Sequence, residues 1–119
     1  MKRILYIEDN ILFREGMALL LEWRTGLGSI QAGSLAEAHG ILRDTKDKPL
    51  CAIVDLDLPD GDGIELVEQL RDLPVMALTH RSLEEFNKAL EAGADKVLSP
   101  AVSAEEMVGA VERLVKSRN

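Results

Sequence analysis

The chain has 119 residues, 46% of them hydrophobic, and a formal net charge of −7. That length and composition suit one globular domain, residues 1–119, built around its own hydrophobic core. They exclude a disulfide framework, since Cys51 stands alone; a membrane span, since Asp and Gly interrupt every apolar run; and direct nucleic-acid binding, which needs clustered Lys and Arg.

Arg3-Ile4-Leu5-Tyr6-Ile7 reads as a buried strand, closed by Glu8-Asp9. It follows Met1-Lys2 with no signal-peptide pattern, so a cytoplasmic location is expected. Asn10 suits the cap of a helix from about Ile11 to Arg24, with Leu12, Met17, Leu20 and Trp23 mostly on one side. Gly26 and Gly28 end it. Ser29 to Gly33 is a weak strand with only alternate positions apolar, which suits a sheet edge. Ser34 and Glu37 form a capping box for a helix using Leu35, Ala38 and Leu42. A polar loop runs from Asp44 to Pro49.

Cys51-Ala52-Ile53-Val54 has the length of a strand buried on both faces and ends on Asp55. Cys51 reads as a buried reduced thiol. A turn rich in Pro, Gly and Asp follows, in which Asp60 and Asp62 serve as turn and cap residues. It feeds a helix over Ile64 to Leu70. Pro74 to Leu78 is a fourth strand, ending on Thr79-His80. Ser82 and Glu85 make a second capping box, for a helix burying Leu83, Phe86 and Leu90 and stopped by Gly93. Lys96-Val97-Leu98 is a short fifth strand closed by Ser99-Pro100. Ser103 and Glu106 open the last helix, which buries Met107, Val111, Leu114 and Val115.

Five alternating strand–helix units imply a parallel sheet with helices on both faces. The first, third and fourth strands are richest in apolar residues and belong at the centre. The expected fold is therefore α/β, a flavodoxin-like (βα)5 three-layer sandwich with strand order 2-1-3-4-5. In that order a crevice opens at the carboxyl ends of the first and third strands. Glu8, Asp9 and Asp55 meet there, with Thr79 one strand further over. Carboxylates packed so closely repel one another, so either one keeps a proton or a cation sits among them. Hard oxygen ligands in a small open pocket favour Mg²⁺. Such a site supports phosphoryl transfer onto a carboxylate, with Thr79 donating to a phosphoryl oxygen. Acidic residues at strand ends also simply cap helices, which is the plainer reading.

Together these residues resemble the receiver domain of two-component response regulators. Glu8-Asp9 resembles that family's acidic pair after the first strand. Asp55, with Pro59 and Asp62-Gly63 downstream, resembles its phosphoacceptor motif. Thr79 resembles the switch Ser/Thr, and Gly93-Ala94-Asp95 the step before the fifth strand. Asn10 to Gly16 resembles the branch whose output domain is a helix-turn-helix DNA binder. The resemblance implies phosphorylation of Asp55 by a sensor histidine kinase. It also implies Mg²⁺ held by Asp9, Asp55 and the Asp57 carbonyl, with Glu8 acting mostly through water. Thr79 would then reshape the face of the fourth helix, fifth strand and fifth helix, which is also the family's homodimer surface.

The family's site Lys is missing. Its position falls on Pro100, or on Ser99 if one residue is deleted. The aromatic switch position is Val97. His80 is bulky where a small residue is usual, and Asp57 either adds negative charge at the mouth or serves as a turn residue. Arg81 can reach toward the pocket or serve as a solvated loop cation. Three readings follow: a phosphorylated signalling receiver that is not an enzyme in its own right; an atypical receiver acting as a phosphorylation-independent interaction or dimerisation module; and an aspartyl-nucleophile phosphatase. Asp55-Leu56-Asp57 fits the third only superficially, because no Lys follows a later strand.

Overall fold

The computed structural model describes residues 2–44, 46, 48–80 and 82–117. Five parallel strands run in the order β2-β1-β3-β4-β5: β1 Arg3–Ile7, β2 Gly28–Ala32, β3 Cys51–Asp55, β4 Val75–Leu78 and β5 Lys96–Leu98. This is the expected order. Five helices connect or follow them: α1 Ile11–Thr25, α2 Leu35–Asp44, α3 Ile64–Gln69, α4 Leu83–Ala92 and α5 Ala104–Lys116.

The strands sort their side chains by the two-residue pleat. Ile4 and Tyr6 of β1 join Cys51 and Ile53 of β3 against Met17, Ala18 and Leu21 of α1 and Met107, Val111 and Leu114 of α5. Leu5, Ile7, Ala52 and Val54 face the other way, against α2, α3 and α4. Every residue of β3 and β4 is buried, as a central parallel strand requires. β2 is half-exposed along most of its length, as an edge strand.

Asn10 caps α1 through its side chain, which accepts the Phe13 N–H at 3.1 Å. Gly26 ends that helix in the left-handed region at φ 76°. Gly28 lies within β2 and plays no part in ending α1. Ser34 and Glu37 form their box, with the Glu37 carboxylate reaching the Gly33 N–H. Ser103 accepts the Glu106 N–H at 3.0 Å. Ser82 sits at the start of α4 without a side-chain cap bond, so its expected box does not close.

Two apolar faces differ from expectation. Trp23 is 80% exposed and Leu12 85%, because α1 packs through Met17, Ala18 and Leu21. On α4, Leu83 and Leu90 are exposed and Phe86 is half-buried. The residues that meet the sheet are Ala89 and Ala92. Small side chains let a helix lie close, and the large ones beside them are left outward.

The loop after β3 holds a feature not anticipated. Asp57–Leu58 and Gly61–Asp62 pair as a two-residue antiparallel ladder. Asp62 accepts the Ile64 N–H at 3.0 Å at the start of α3, as a cap should. Asp60 caps a different helix: its two oxygens accept the N–H groups of Leu35 and Ala36 at 2.8 and 3.0 Å. These bonds to the first turn of α2 hold its carboxyl below the usual range.

Candidate functional site

β1 leads across to β2 on one side, and β3 leads to β4 on the other. The crevice between their carboxyl ends is a hollow of about 440 Å³. Its lining brings together Glu8, Asp9, Asp55 and Asp57 from the strand ends, His80 after β4 and Pro100 after β5. Asn10 and Phe13 of α1 also line it. The register sets Ile7 beside Val54, so Glu8 and Asp55 are the next residues along their strands. Both are buried, at 5% and 7% exposure, while Asp9 is exposed. One carboxylate oxygen from each of Glu8, Asp9 and Asp55 lies within 4.8 Å of the others.

The hydrogen bonds explain how such a cluster persists in a fold. Asp55 Oδ1 accepts the Asp57 N–H at 2.9 Å. Glu8 Oε2 accepts the Asn10 N–H at 3.2 Å. Arg14 donates to the Glu8 backbone carbonyl, and its Nε donates to Gln31 at 3.0 Å. Burial, and then the hydrogen bond shared with Asp55, push the Glu8 carboxyl up to about 8. Burial also raises Asp55, against the opposing pull of Glu8 and the Asp57 N–H. In the absence of a cation, Glu8 therefore keeps a proton and donates it to Asp55. Repulsion between the carboxylates is relieved by protonation, and a cation would relieve it equally well. The three carboxylates are hard oxygen donors and suit a hard divalent ion.

A pH effect follows, with a definite sign. Folded Glu8 holds its proton up to about 8, whereas its ordinary value is 4.5. Across that window the native state binds more protons than the unfolded chain, so its stability falls as pH rises. Urea midpoints measured with chelator at pH 5, 7 and 9 are expected to decline. Glu8→Gln should flatten the trend, and an unchanged slope in that variant would place the proton elsewhere.

Other sequence-predicted residues fall as follows. Thr79 is fully buried after β4, and its N–H donates to Leu98 of β5 at 3.1 Å. It does not line the hollow in this arrangement. Ser99 does not line it either; its hydroxyl accepts the Ala101 N–H at 3.1 Å. Pro100 does; with Ser99 it is one of the two positions on which the family's Lys falls. Among the described residues, no Lys or Arg lines the hollow. Arg81 lies outside the described residues. Val97 is half-buried on β5.

Sequence reasoning passed over three residues here: Phe13, Arg14 and Tyr6. Tyr6 is fully buried, and its hydroxyl has no hydrogen-bond partner among the described residues. Burial first, then the charges of Glu8 and Asp55, hold its phenol well above the ordinary range. Its place two residues before Glu8, on the same side of β1, was the available signal.

The family model for the response regulator receiver domain matches residues 4–112. The chain belongs to that family. The KDP operon transcriptional regulatory protein KdpE of Escherichia coli is 41% identical over 104 residues, covering 83% of this chain and 44% of that protein. The receiver spans about half the length of the curated relatives it matches. A two-component response regulator from Clostridium difficile superposes with a TM-score of 0.88 at 23% identity, covering 100% of this chain and 99% of its own, which shows the fold. A response regulator from Burkholderia pseudomallei, solved with a phosphorylated aspartic acid, a calcium ion and citrate, is 28% identical. It matches with a TM-score of 0.81 over 98% of this chain and 69% of its own. The function of the family is reception of a signal in two-component systems, and this chain is a receiver domain of that kind. No helix among the described residues is long and apolar enough to cross a membrane.

Proposed function

We propose that residues 1–119 act as a single receiver module that accepts a phosphoryl group on Asp55 from a sensor histidine kinase. The observation that carries this reading is the convergence of Glu8, Asp9 and Asp55, with oxygens within 4.8 Å, in one hollow at the carboxyl end of the sheet. A carboxylate oxygen of Asp55 attacks phosphorus, the bond from phosphorus to the kinase imidazole nitrogen breaks, and an acyl phosphate results. Asp9, Asp55 and the Asp57 carbonyl would hold Mg²⁺, with Glu8 acting mainly through water. The ion supplies neutralisation of the phosphoryl oxygens. The related Burkholderia protein, with its phosphorylated aspartic acid and calcium ion, supports both assignments. The chain works in this reading as a cytoplasmic signalling domain and turns over no separate substrate.

Thr79 serves as the switch residue, and the output surface is the face of α4, β5 and α5. Leu83 and Leu90, exposed on α4, suit a contact surface there, including one for a second copy of the chain. KdpE is a transcriptional regulatory protein, and a DNA-binding output domain is the corresponding partner for this receiver. Pro100 or Ser99 in place of the family's Lys removes a charge-assisted contact worth about 1.5–3 kcal/mol. Val97 offers Thr79 no ring to move. These two departures favour a second reading, a phosphorylation-independent interaction module. A phosphatase is disfavoured, because no Lys lines the hollow among the described residues.

Intact mass separates the two. Incubation with Mg²⁺ and a small phosphodonor is expected to add one phosphoryl group. A mass that stays unchanged supports the interaction module instead.

A further inference from the structure

Tyr6 sits on β1 with Ile53 of β3 as its register partner, two residues below Glu8 and Asp55 respectively. Two residues of strand span about 6.6 Å, which is within the reach of a tyrosyl side chain leaning along the strand. Its ring belongs to the cluster between β1, α1 and α5. Phe13 packs on that cluster and also lines the hollow, so the cluster adjoins the acidic site. The ionisable groups that act on the Tyr6 hydroxyl are Glu8, Asp55 and Arg14, all of them part of the site or bonded to it. The residue is 0% exposed and the hydroxyl has no partner among the described residues. Buried hydroxyls are almost always hydrogen-bonded, so an orphan one invites explanation.

Besides Thr79, four nearby donors are engaged or lie at the mouth. Arg14 is held by the Glu8 carbonyl and Gln31. The Ser99 hydroxyl is turned to the Ala101 N–H. His80 is exposed at the mouth. The Asp57 N–H already serves Asp55 Oδ1.

We propose that the Tyr6 hydroxyl donates a hydrogen bond to the phosphorylated Asp55 group from beneath, as a buried neutral donor at a site that has lost its Lys. This inference rests on the proposed phosphorylation of Asp55. Phosphorylation adds strong acceptor oxygens to that carboxyl and gives the orphan donor a partner. A phenol stays neutral and protonated at working pH, so it donates without adding a buried charge.

Tyr6→Phe removes the hydroxyl and keeps the ring. The metal-free variant is expected to melt no lower than the wild type, because no partner is lost. Its Mg²⁺-dependent phosphoryl uptake from a small phosphodonor should be slower, on the order of fivefold to tenfold. Tyr6 is the sole tyrosine in the chain, so ring-carbon NMR reads its hydroxyl without ambiguity. Adding Mg²⁺ and beryllofluoride, a phosphoryl mimic, should shift the wild-type signal of the hydroxyl-bearing carbon. Equal uptake rates in the two proteins, or an unmoved tyrosine signal, would overturn this inference alone. A lower melting temperature for Tyr6→Phe would also overturn it, by revealing a structural partner for the hydroxyl. No uptake by the wild type would overturn the proposed function and this inference with it.

Discussion

Asp55→Asn is expected to reduce Mg²⁺-dependent phosphoryl uptake to background while leaving the fold intact. An amide oxygen is a poor nucleophile and cannot form the acyl phosphate. The structural cost is small. Asp55 Oδ1 accepts the Asp57 N–H at 2.9 Å, and the Asn carbonyl can accept the same bond. Burial already disfavours the charged form of Asp55, and Glu8 lies against it. A neutral amide carries no buried charge and can still hydrogen-bond to Glu8, so the thermal midpoint of the metal-free variant should match or exceed that of the wild type. Intact mass and thermal unfolding, measured side by side, check both halves. Uptake persisting in the variant would move the acceptor to another residue.

Gly63→Ala is expected to be among the most damaging single-methyl changes in the chain. Its φ of −64° is ordinary for any residue, so conformational freedom is not the issue. Space is. A Cβ there would lie 2.7 Å from the Asp55 carbonyl oxygen and 2.9 Å from the Leu56 Cα. Both are backbone atoms and cannot swing aside as a flexible side chain can. Gly63 also donates to the Leu56 carbonyl and accepts from Leu66 and Val67, which fixes it from both sides. Overpacking of this sort costs about 1–3 kcal/mol, which in a domain of this size lowers the melting temperature by roughly 5–15 °C. Any relaxation displaces Asp55, so phosphoryl uptake should fall as well. A variant melting within a degree of the wild type would mean that the turn yields far more easily than this packing allows.

Much of the fold was legible because its signals are local. β3 and β4 are short apolar runs, and their burial on both faces follows from composition alone. Asn10 and Ser103 cap their helices through contacts three residues away. What sequence reasoning lost depends on distant partners. The carboxylate of Asp60 reads as a turn residue until α2 comes to rest beside it, 25 positions away in the chain. Leu83 and Leu90 have helical spacing, but the sheet selects Ala89 and Ala92, because spacing defines faces and not which face is covered. At the site, the convergence of Glu8, Asp9 and Asp55 follows from strand order and was foreseeable. The placing of Thr79 behind the hollow rather than on its wall was not. Tyr6 was read as one more apolar strand residue, since nothing in a linear pattern shows that its hydroxyl is left without a partner.

The chain has a single tryptophan, Trp23, and α1 holds it almost wholly in solvent. Its emission in the folded protein should already resemble that of the denatured chain, so intrinsic fluorescence will be nearly blind to global unfolding. The same indole will respond strongly when another molecule settles on α1. It is a poor thermometer for this domain and a ready-made, label-free reporter of contact at one surface.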